Sequence, residues 1–348
     1  MHYMKGTMLV AGGAGFIGSN FIRLVLEKHR GIKVICFDAL TYAGNKENLK
    51  GLPASRLVFV RGDIADPKAV ARVFAKYKPQ YVVNFGAESH VDSSIHGGAI
   101  SFVHTNVYGT SVLLQELVHA PFVKKFLHVS TDEVYGSLSL DAKEKFTEDT
   151  PLAPNSPYAA SKAAADLLVR AFFVTYKVPV VATRCANNYG PFQYPEKLIP
   201  FSVSRLLRDE PITIYGDGQY VRDWIHVDDH NEALLIVLEK GKAGEFYNIG
   251  ADDEIDNLSL ARSMLSHFAK TDSALTFVAD RPGHDRRYAS DSKKVRALGW
   301  RPRRRLKTSL QGTLQWYGDN QAWVRRALKK GAANTHLVHN KGPKKHGR

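Results

Sequence analysis

Two short stretches of the sequence carry the residue types needed to move a proton and a hydride. Thr131, Asp132 and Glu133 place a hydroxyl beside two carboxylates, and Tyr158 and Lys162 stand four residues apart. A free phenol has a pKa of ~10, so it becomes a base near neutral pH only when a neighbour such as an ammonium stabilises the phenolate. Each motif alone is more common on an ordinary surface helix or in a solvated turn. Together they predict oxidation of a hydroxyl combined with a separate acid and base.

The surrounding elements predict how these residues meet. Residues 126–130 form an apolar run of strand-forming residues, so Thr131 should lie at the carboxyl end of a buried strand, where parallel sheets bind ligands. Because successive strand side chains point to opposite faces, the chain must leave the strand at Asp132 for both carboxylates to reach one substrate. The Asn-Ser-Pro sequence before Tyr158 is typical of a helix start, and it places Tyr158 and Lys162 on one helical face.

A glycine-rich turn near the amino terminus predicts a dinucleotide site. Gly12, Gly15 and Gly18 follow an apolar strand at residues 7–11 and open an amphipathic helix. Glycines at this spacing let the backbone approach a pyrophosphate at the helix amino terminus, although the motif alone is not specific. Asp38 ends the next apolar strand, where a carboxylate suits a free ribose 2′-hydroxyl and repels a 2′-phosphate. The pattern favours NAD over NADP.

The order of the elements predicts the fold class. Strands and helices alternate through residue 184, which is typical of a Rossmann-type α/β fold with a doubly wound parallel sheet. Beyond that point the chain becomes polar, aromatic and turn-rich, with short strands. We therefore expect an NAD-binding domain over residues 1–186, a smaller and mainly substrate-binding domain over 187–330, and a basic, disordered tail over 331–348.

Composition argues against several other classes of protein. The 348-residue chain has a formal net charge of +14, but residues 301–348 hold 13 Lys or Arg and one acid, so residues 1–300 carry +14 minus +12, or +2. A solvated basic tail explains this better than a nucleic-acid site. The two cysteines give neither a disulfide framework nor metal-ligand spacing, and no apolar run reaches the length of a membrane span. We expect a cytoplasmic protein without a metal, membrane or nucleic-acid site.

Several motifs along the chain occur together in one known family. They are Gly-Gly-Ala-Gly-Phe-Ile-Gly, Ala-Glu-Ser-His-Val-Asp, Ser-Thr-Asp-Glu-Val-Tyr-Gly, Asn-Asn-Tyr-Gly-Pro, Pro-Glu-Lys-Leu-Ile-Pro, Arg-Asp-Trp and Asp-Arg-Pro-Gly-His-Asp-Arg-Arg-Tyr. With these, the chain over about residues 5–317 resembles the extended short-chain dehydrogenase family, and within it the dTDP-glucose 4,6-dehydratases. The resemblance implies conversion of dTDP-glucose to dTDP-4-keto-6-deoxyglucose with NAD regenerated in each turnover. It also implies a homodimer paired through two helices per subunit, here 98–119 and 157–176.

The same resemblance implies the catalytic roles. Tyr158 would remove the proton of the sugar 4-hydroxyl while NAD takes hydride from carbon 4, Lys162 would hold the nicotinamide ribose and lower the Tyr158 pKa, and Thr131 would hydrogen-bond the reacting oxygen. Glu133 would then remove the carbon 5 proton, and Asp132 would protonate the leaving 6-hydroxyl. Hydride return to carbon 6 completes the reaction. This division of labour needs one carboxyl protonated and its neighbour ionised.

The resemblance also implies two sets of binding residues. The NAD set is Gly12, Gly15, Phe16, Ile17, Gly18, Asp38, Ala39, Leu40, Thr41, Asp63, Ile64, Phe85, Gly86, Ala87, Glu88, Ser89, Thr105, Tyr158, Lys162 and Asn188. The nucleotide-sugar set is Ser89, Thr131, Asn187, Lys197, Leu198, Thr213, Ile214, Tyr215, Arg222, Asn257, Asp280, Arg281, Pro282, Gly283 and His284. Three residues depart from the family pattern near these surfaces, namely Gly86, Ser93 and Tyr220.

Other functions remain open at this stage. Thymine and uracil differ by one methyl, which a hydrophobic pocket discriminates by only ~1–3 kcal/mol, so a UDP-glucose 4,6-dehydratase is an alternative. A 4-epimerase would share the glycine motif and the Tyr-Lys pair, but adjacent Asp132 and Glu133 argue against it. A non-catalytic NAD-binding or nucleic-acid-associated protein is a further alternative, against which the complete catalytic set argues.

Overall fold

Strands run through both halves of the described chain, which in this computed structural model comprises residues 4–334. In chain order they are β1 (Lys5–Ala11), β2 (Gly31–Asp38), β3 (Leu57–Arg61), β4 (Tyr81–Asn84), β5 (Lys125–Thr131), β6 (Val180–Cys185), β7 (Asn187–Tyr189), β8 (Ile212–Tyr215), β9 (Val221–His226), β10 (Phe246–Ile249), β11 (Glu254–Asp256) and β12 (Leu275–Val278). Nine of them match the expected apolar runs, with ends that differ by a few residues, whereas β7, β11 and β12 were not expected.

The central sheet has seven strands in the order β10-β6-β5-β4-β1-β2-β3, and every neighbouring pair is parallel. This order is that of a doubly wound dinucleotide-binding fold, with a switch point beside β1. The Rossmann-type fold is therefore confirmed. The division into domains is less sharp than a boundary at residue 186 implies, because β10 returns from the carboxyl-terminal half to extend this sheet.

Helices cover both faces of the central sheet and build the carboxyl-terminal cap. They are α1 (Phe16–Lys28), α2 (Pro67–Tyr77), α3 (Val91–His96), α4 (Ile100–Phe102), α5 (Thr110–Val118), α6 (Pro157–Tyr176), α7 (Leu198–Leu206), α8 (Val227–Lys240), α9 (Asn257–His267), α10 (Lys293–Ala297), α11 (Leu306–Asp319) and α12 (Gln321–Asn334). Short 3-10 helices occupy Lys46–Leu49, Asp132–Tyr135 and Asp272–Ala274, and a π-helix occupies Val103–Gly109.

Capping residues fix where the helices begin. The Asp66 carboxylate accepts hydrogen bonds from the first turn of α2, and the Ser156 hydroxyl accepts one from the Ala159 N–H at 3.1 Å at the start of α6. In both helices a proline follows the cap, where its missing N–H leaves no helical hydrogen bond unmade. Local sequence therefore determines where α6 begins, and this start puts Tyr158 in the first turn of the helix.

Two helical expectations needed correction. The segment 98–119 is not one continuous α-helix, because α4, the π-helix and α5 succeed one another there. The segment 331–348 does not begin outside regular structure, because α12 continues to Asn334. Residues 335–348 of the expected tail lie outside the described part of the chain.

Three buried clusters hold the layers together. One lies between the sheet and α1 with α8, a second between the sheet and α2 with α5, and a third fills the cap. The third cluster includes Tyr189 of β7, Trp224 of β9 and Trp323 of α12. The cap is thus anchored on a core of its own beside the carboxyl ends of the parallel strands.

Candidate active site

The carboxyl end of β5 carries three of the candidate catalytic residues. Thr131 is the last residue of the strand, and the chain then turns into the 3-10 helix Asp132–Tyr135. The Thr131 hydroxyl accepts a hydrogen bond from the Glu133 backbone N–H at 3.3 Å and so caps this helix. The expectation that the chain leaves the strand at this point is confirmed. As a result both carboxylates line the same cavity.

The first two turns of α6 supply the other two residues. Tyr158 and Lys162 are 9% and 4% exposed, and both line the cavity that Thr131 reaches. The Thr131 hydroxyl is close enough to the Tyr158 phenol to lower its pKa. The Lys162 Nζ donates a hydrogen bond of 2.8 Å to the Val129 carbonyl oxygen of β5. The five residues therefore converge on one wall of the cavity.

Asp132 has the surroundings of a neutral carboxylic acid. Its side chain is 1% exposed, and its Oδ2 has no hydrogen-bond partner among the described residues. Burial raises the pKa of Asp132 well above its ordinary value, and the nearby Glu133 and Asp223 carboxylates raise it further. A carboxyl group in such a place keeps its proton because the charged form is poorly solvated.

Glu133 has a different charge environment. Burial raises its pKa as well, but Arg281, Arg222 and Lys197 all act to lower it. The Asp285 carboxylate acts with burial to raise the Glu133 pKa, and the pKa of Glu133 remains above its ordinary value. Arg222 lowers the pKa of Asp132 as well, but Asp132 has fewer cations around it and is raised well above its ordinary value. Of the two carboxyl groups, Asp132 therefore holds its proton more firmly, which suits it to be the acid and Glu133 to be the base.

The expected lowering of the Tyr158 pKa by Lys162 is not found in the protein itself. Burial raises the pKa of Tyr158 well above its ordinary value, Glu133 raises it further, and the nearby Thr131 hydroxyl lowers it. Burial also lowers the pKa of Lys162, whose ammonium is directed to the Val129 carbonyl. Tyr158 is therefore a protonated phenol until another positive charge enters the site.

The glycine-rich turn fits a dinucleotide. Gly12 has φ +70°, and a Cβ there would lie 2.7 Å from the Gly86 nitrogen of the adjacent loop. A Cβ on Gly18 would lie 2.5 Å from the Gly12 carbonyl oxygen. Gly15 precedes α1, and no side chain caps the N–H groups of that helix. The backbone thus leaves a close-fitting cradle and free donors for a phosphate group.

A cavity of about 310 Å³ joins this turn to the catalytic wall. Of the predicted NAD residues, those that line it are Gly12, Gly15, Phe16, Ile17, Gly18, Phe85, Ala87, Ser89, Tyr158, Lys162 and Asn188. Of the predicted nucleotide-sugar residues, those that line it are Ser89, Thr131, Asn187, Lys197 and Leu198. The remaining predicted NAD residues, Asp38, Ala39, Leu40, Thr41, Asp63, Ile64, Gly86, Glu88 and Thr105, lie outside its lining.

Asp38 lies behind the glycine turn and organises it. Its two carboxylate oxygens accept hydrogen bonds from the backbone N–H groups of Ala14 at 2.9 Å and Leu40 at 2.7 Å. Burial raises the pKa of Asp38, and the two backbone hydrogen bonds lower it. A carboxylate has further lone pairs, so these bonds leave it able to accept one from a ribose hydroxyl.

The remaining predicted nucleotide-sugar residues surround the cavity on the cap side. They are Thr213, Ile214, Tyr215, Arg222, Asn257, Asp280, Arg281, Pro282, Gly283 and His284, and none of them is in the lining of the cavity. Arg281 Nη1 lies 3.0 Å from Asp92 Oδ1, and Arg222 Nη2 donates to the Asp285 carbonyl oxygen at 2.8 Å. Ile214 is 2% exposed within the cap core, so its side chain does not face a ligand.

The three departures from the family pattern have local explanations. A Cβ on Gly86 would lie 3.0 Å from Ile64 Cδ1, and Ser93 Oγ lies 2.5 Å from His90 Nδ1. The Tyr220 ring stacks on His284 at 3.6 Å between centroids. The absence of a side chain at Gly86 thus leaves room for Ile64, and Ser93 and Tyr220 each contact a histidine of the protein.

Sequence reasoning missed part of the cavity wall. The missed residues are Tyr42, Ala43, Val129, Ser130, Cys185, Ala186, Gln193, Tyr194, Glu196 and Trp224. Glu196 stood inside the Pro-Glu-Lys-Leu-Ile-Pro motif, and burial raises its pKa to about 7. The position of Val129, Ser130 and Cys185 at strand ends could have indicated them, because ligands bind at those ends.

Two negative findings apply to the described residues, 4–334. Their His, Cys, Asp and Glu side chains form no group of three or more that could hold a metal ion. None of their helices combines the length and the apolar character that crossing a membrane requires. Cys36 and Cys185 are both free and buried.

Comparisons with known proteins identify relatives of the whole fold. A family model described as GDP-mannose 4,6 dehydratase matches residues 9–313. A dTDP-glucose 4,6-dehydratase from Xanthomonas campestris is 48% identical, covering 92% of this chain and 96% of the relative. The crystal structure of DesIV, a dTDP-glucose 4,6-dehydratase from Streptomyces venezuelae with NAD bound, has a TM-score of 0.88 and 47% identity, covering 92% of this chain and 99% of the other. A UDP-glucose 4-epimerase from Thermotoga maritima has a TM-score of 0.83 and 31% identity, covering 90% and 99%.

Proposed function

The chain belongs to the GDP-mannose 4,6-dehydratase family, and we infer from this premise that it is an NAD-dependent hydro-lyase acting on dTDP-glucose. Its product is dTDP-4-keto-6-deoxyglucose. The observation that carries the reaction type is the contrast between Asp132, whose pKa the Glu133 and Asp223 carboxylates raise beyond the effect of burial, and Glu133, whose pKa Arg281, Arg222 and Lys197 lower against that effect. An epimerase needs no such acid and base pair, because it loses no water.

The glycine turn fits the pyrophosphate of NAD, and Lys162, which lines the same cavity, would hold the nicotinamide ribose. Bound NAD would supply the hydride acceptor for carbon 4 of the sugar and the hydride donor for carbon 6. Its positively charged ring also supplies the charge that the protein alone does not provide near Tyr158. The Asp38 carboxylate behind the turn favours a free 2′-hydroxyl on the adenosine ribose.

In the first step Tyr158 removes the proton of the 4-hydroxyl. The Thr131 hydroxyl lies close enough to the phenol to act on its pKa, so both residues can reach the same sugar oxygen. The Thr131 hydroxyl stabilises the oxygen as the carbonyl forms. This assignment follows from their convergence on one wall of the cavity, where a reacting hydroxyl can contact both.

In the second step Glu133 and Asp132 eliminate water from the oxidised sugar. The new carbonyl at carbon 4 acidifies the proton on carbon 5, and the Glu133 carboxylate accepts that proton and returns it to carbon 5 when the hydride reaches carbon 6. Asp132 donates its own proton to the 6-hydroxyl, which leaves as water. The free Oδ2 of Asp132 and its loss of solvation fit a proton donor.

The nucleotide diphosphate is held on the cap side. Lys197 lines the cavity, and Arg222 and Arg281 lie close enough to Glu133 to influence its charge. Guanidinium groups bind phosphate oxygens bidentately, which suits two phosphates that approach from this side. We assign these three cations to the diphosphate.

Two further proposals concern assembly and compartment. Large apolar side chains are exposed on both segments expected to pair subunits, namely Ile100, Val103 and Tyr108 on one and Leu167 and Val174 on the other. An apolar surface of this kind supports a homodimer built on α6 and the segment around α5. The two free thiols support a reducing compartment such as the cytoplasm.

The direct test is incubation of the purified protein, without added cofactor, with dTDP-glucose and separately with UDP-glucose. We expect a product of dTDP-glucose that is lighter by one water, and slower or no reaction of UDP-glucose. A galactose product of unchanged mass would mean an epimerase and would contradict the proposal. A faster reaction of UDP-glucose would contradict the choice of nucleotide alone.

A further inference from the structure

The last described helix, α12, contacts the part of the chain that follows Asp38. The segment 42–49 contains Tyr42 and Ala43, which line the cavity, and the 3-10 helix Lys46–Leu49. It connects the ribose-binding end of β2 to the outer edge of the sheet. The match to the family model ends at residue 313, before this helix begins.

Three side chains of α12 bind this segment. Trp323 Nε1 donates a hydrogen bond of 2.9 Å to Asn48 Oδ1, and the indole is 6% exposed. Arg326 pairs with Glu47 with an Nη2 to Oε2 distance of 2.8 Å. Lys330 Nζ donates to the Gly44 carbonyl oxygen. These contacts recur about once per turn along one side of the helix.

The bound segment in turn holds the glycine turn. Asn48 is fully buried, and its Nδ2 donates a hydrogen bond of 3.0 Å to the Ala14 carbonyl oxygen. The Asn45 backbone N–H donates to the same oxygen at 2.9 Å. The Ala14 N–H donates to Asp38. A continuous chain of hydrogen bonds therefore runs from Trp323 through Asn48 to the peptide at the centre of the dinucleotide cradle.

A second connection reaches the cavity wall itself. The Tyr194 hydroxyl donates to the Ala327 carbonyl oxygen at 3.4 Å, and its ring contacts Tyr42 edge-on at 5.3 Å between centroids. Tyr42 and Tyr194 both line the cavity. The positive charge of Lys330 also acts on the Asp38 carboxylate. The helix thus contacts the cofactor side of the site through hydrogen bonds, ring packing and charge.

We propose that α12 is a strap that positions the segment 42–49 and the glycine turn, and so keeps NAD bound between turnovers. The proposal rests on the NAD site described above. An enzyme that restores its NAD in every turnover has no need to exchange it, so a strap that slows its release costs no activity. Trp323, Arg326 and Lys330 are positioning residues on this account, since they act on NAD through Asn48, Glu47 and Gly44.

The test is the double variant Trp323→Phe/Lys330→Ala in the full-length protein. Phenylalanine keeps an aromatic ring in the core but cannot donate to Asn48, and alanine at 330 removes the contact to Gly44. The two lost hydrogen bonds hold the segment 42–49 and not NAD itself, so their loss acts on binding through the position of the glycine turn, and we expect the NAD dissociation constant to rise by about 10-fold. The purified variant should also carry less NAD per subunit, while kcat at saturating NAD stays within about twofold of the wild-type value.

Arg325→Ala is the matched control. Arg325 is exposed on the same helix, and within the described chain it has no hydrogen bond or ion pair to the segment 42–49. Its NAD content and dissociation constant should equal those of the wild type. An NAD dissociation constant of the double variant equal to that of the control would overturn the proposal. Wild-type protein that binds NAD but does not dehydrate dTDP-glucose would instead refute the proposed function and leave the strap intact.

Discussion

The wall of the cavity that carries Thr131, Asp132, Glu133, Tyr158 and Lys162, which we call the floor, differs from the carboxyl-terminal cap in how its charged groups are paired. On the floor, Asp132 is buried with an unpaired Oδ2 and has no ion pair among the described residues, although the charge of Arg222 lowers its pKa. In the cap, several cations are paired with acids, as Arg281 is with Asp92 of α3 at 3.0 Å and Arg286 with Asp217 at 3.0 Å. The Asp132 carboxyl is therefore strained electrostatically before any ligand arrives, while these guanidinium groups each have a carboxylate partner and Arg281 Nε still lacks an acceptor among the described residues.

This difference in charge pairing indicates which part of the reaction each region serves. A group whose protonation state is set by burial is ready for proton transfer, and its strain is offset by the rest of the fold. A paired guanidinium keeps its position and still has donors free for phosphate. We therefore expect substitutions on the floor to lower kcat and substitutions in the cap to raise KM.

The largest effect should come from removing the phenol. Tyr158→Phe leaves the ring in place but removes the base for the 4-hydroxyl, so we expect kcat to fall by about 10⁴-fold. Bound NAD should be retained, since the glycine turn is intact. Steady-state kinetics with dTDP-glucose, together with NAD content, measures both. A fall of less than tenfold would show that another group is the base.

The next effect concerns the acid and base pair. Asp132→Asn and Glu133→Gln should each lower the rate of water loss by about 10²–10⁴-fold, because each removes one proton transfer. Oxidation at carbon 4 should persist in both, since Tyr158 is unchanged. Reduced cofactor should then accumulate, which its absorbance reports. Loss of this absorbance in either variant would mean that the carboxyl also serves the first step.

A smaller effect should follow in the cap. Arg281→Ala removes a charge-assisted contact to the diphosphate, so we expect KM for dTDP-glucose to rise about 10–100-fold. Since Arg281 also lowers the pKa of Glu133, kcat should fall as well, but far less than in the carboxyl variants, because Arg222 and Lys197 still act on Glu133. Arg262→Ala is the control, because Arg262 is an exposed cap arginine paired with Asp272 at 2.7 Å. A large fall in kcat for Arg281→Ala would break the contrast between the two regions.

The smallest expected effect is on the free energy of unfolding, which the Asp132→Asn substitution should increase even though it lowers activity. Because burial raises the pKa of Asp132, the unfolded chain releases this proton at lower pH than the native protein does. Rising pH above the ordinary pKa of an aspartate therefore favours unfolding until the native carboxyl also ionises. Asp132→Asn removes this cost, so we expect the free energy of unfolding at pH 7 to increase by roughly 0.5–2 kcal/mol.

Urea unfolding at several pH values between about 5 and 8 tests this point. The gain in the Asp132→Asn variant should shrink as the pH falls toward the ordinary pKa of aspartate, where both states are protonated. Asp149→Asn, at an exposed position, is the control and should show no such trend. A variant that is less stable than the wild type at pH 7 would show that Asp132 is not strained in the native protein.

Much of the fold was predictable because its signals are local. Apolar strand runs, the glycine turn and the serine-proline start of α6 each lie within a few residues, and each occurs where expected. The turn after Thr131 was also predictable, since alternation along a strand forbids two adjacent carboxylates on one side. These features placed Thr131 at a strand end and Tyr158 and Lys162 on one helical face, and the family resemblance implied that they act together.

The rest depends on residues that meet only through the fold. The proton affinity of Asp132 depends on Asp223, and that of Glu133 on Arg281, neither of which is close in sequence. Strand β10 returns to the first sheet from the far half of the chain, and Trp323 reaches Asn48. Local sequence patterns contain no information about which distant residues meet. They therefore could not predict the charged groups around Asp132 and Glu133 or the contacts of α12.

The measurement that tests the central claim most directly is deuterium incorporation at carbon 5 of recovered dTDP-glucose in heavy water. The account predicts incorporation by Asp132→Asn, which keeps the Glu133 base but cannot expel water. It predicts none by Glu133→Gln, which lacks the base. Incorporation by Glu133→Gln and none by Asp132→Asn would contradict the assignment of acid and base, and equal incorporation by both would place the carbon 5 base elsewhere.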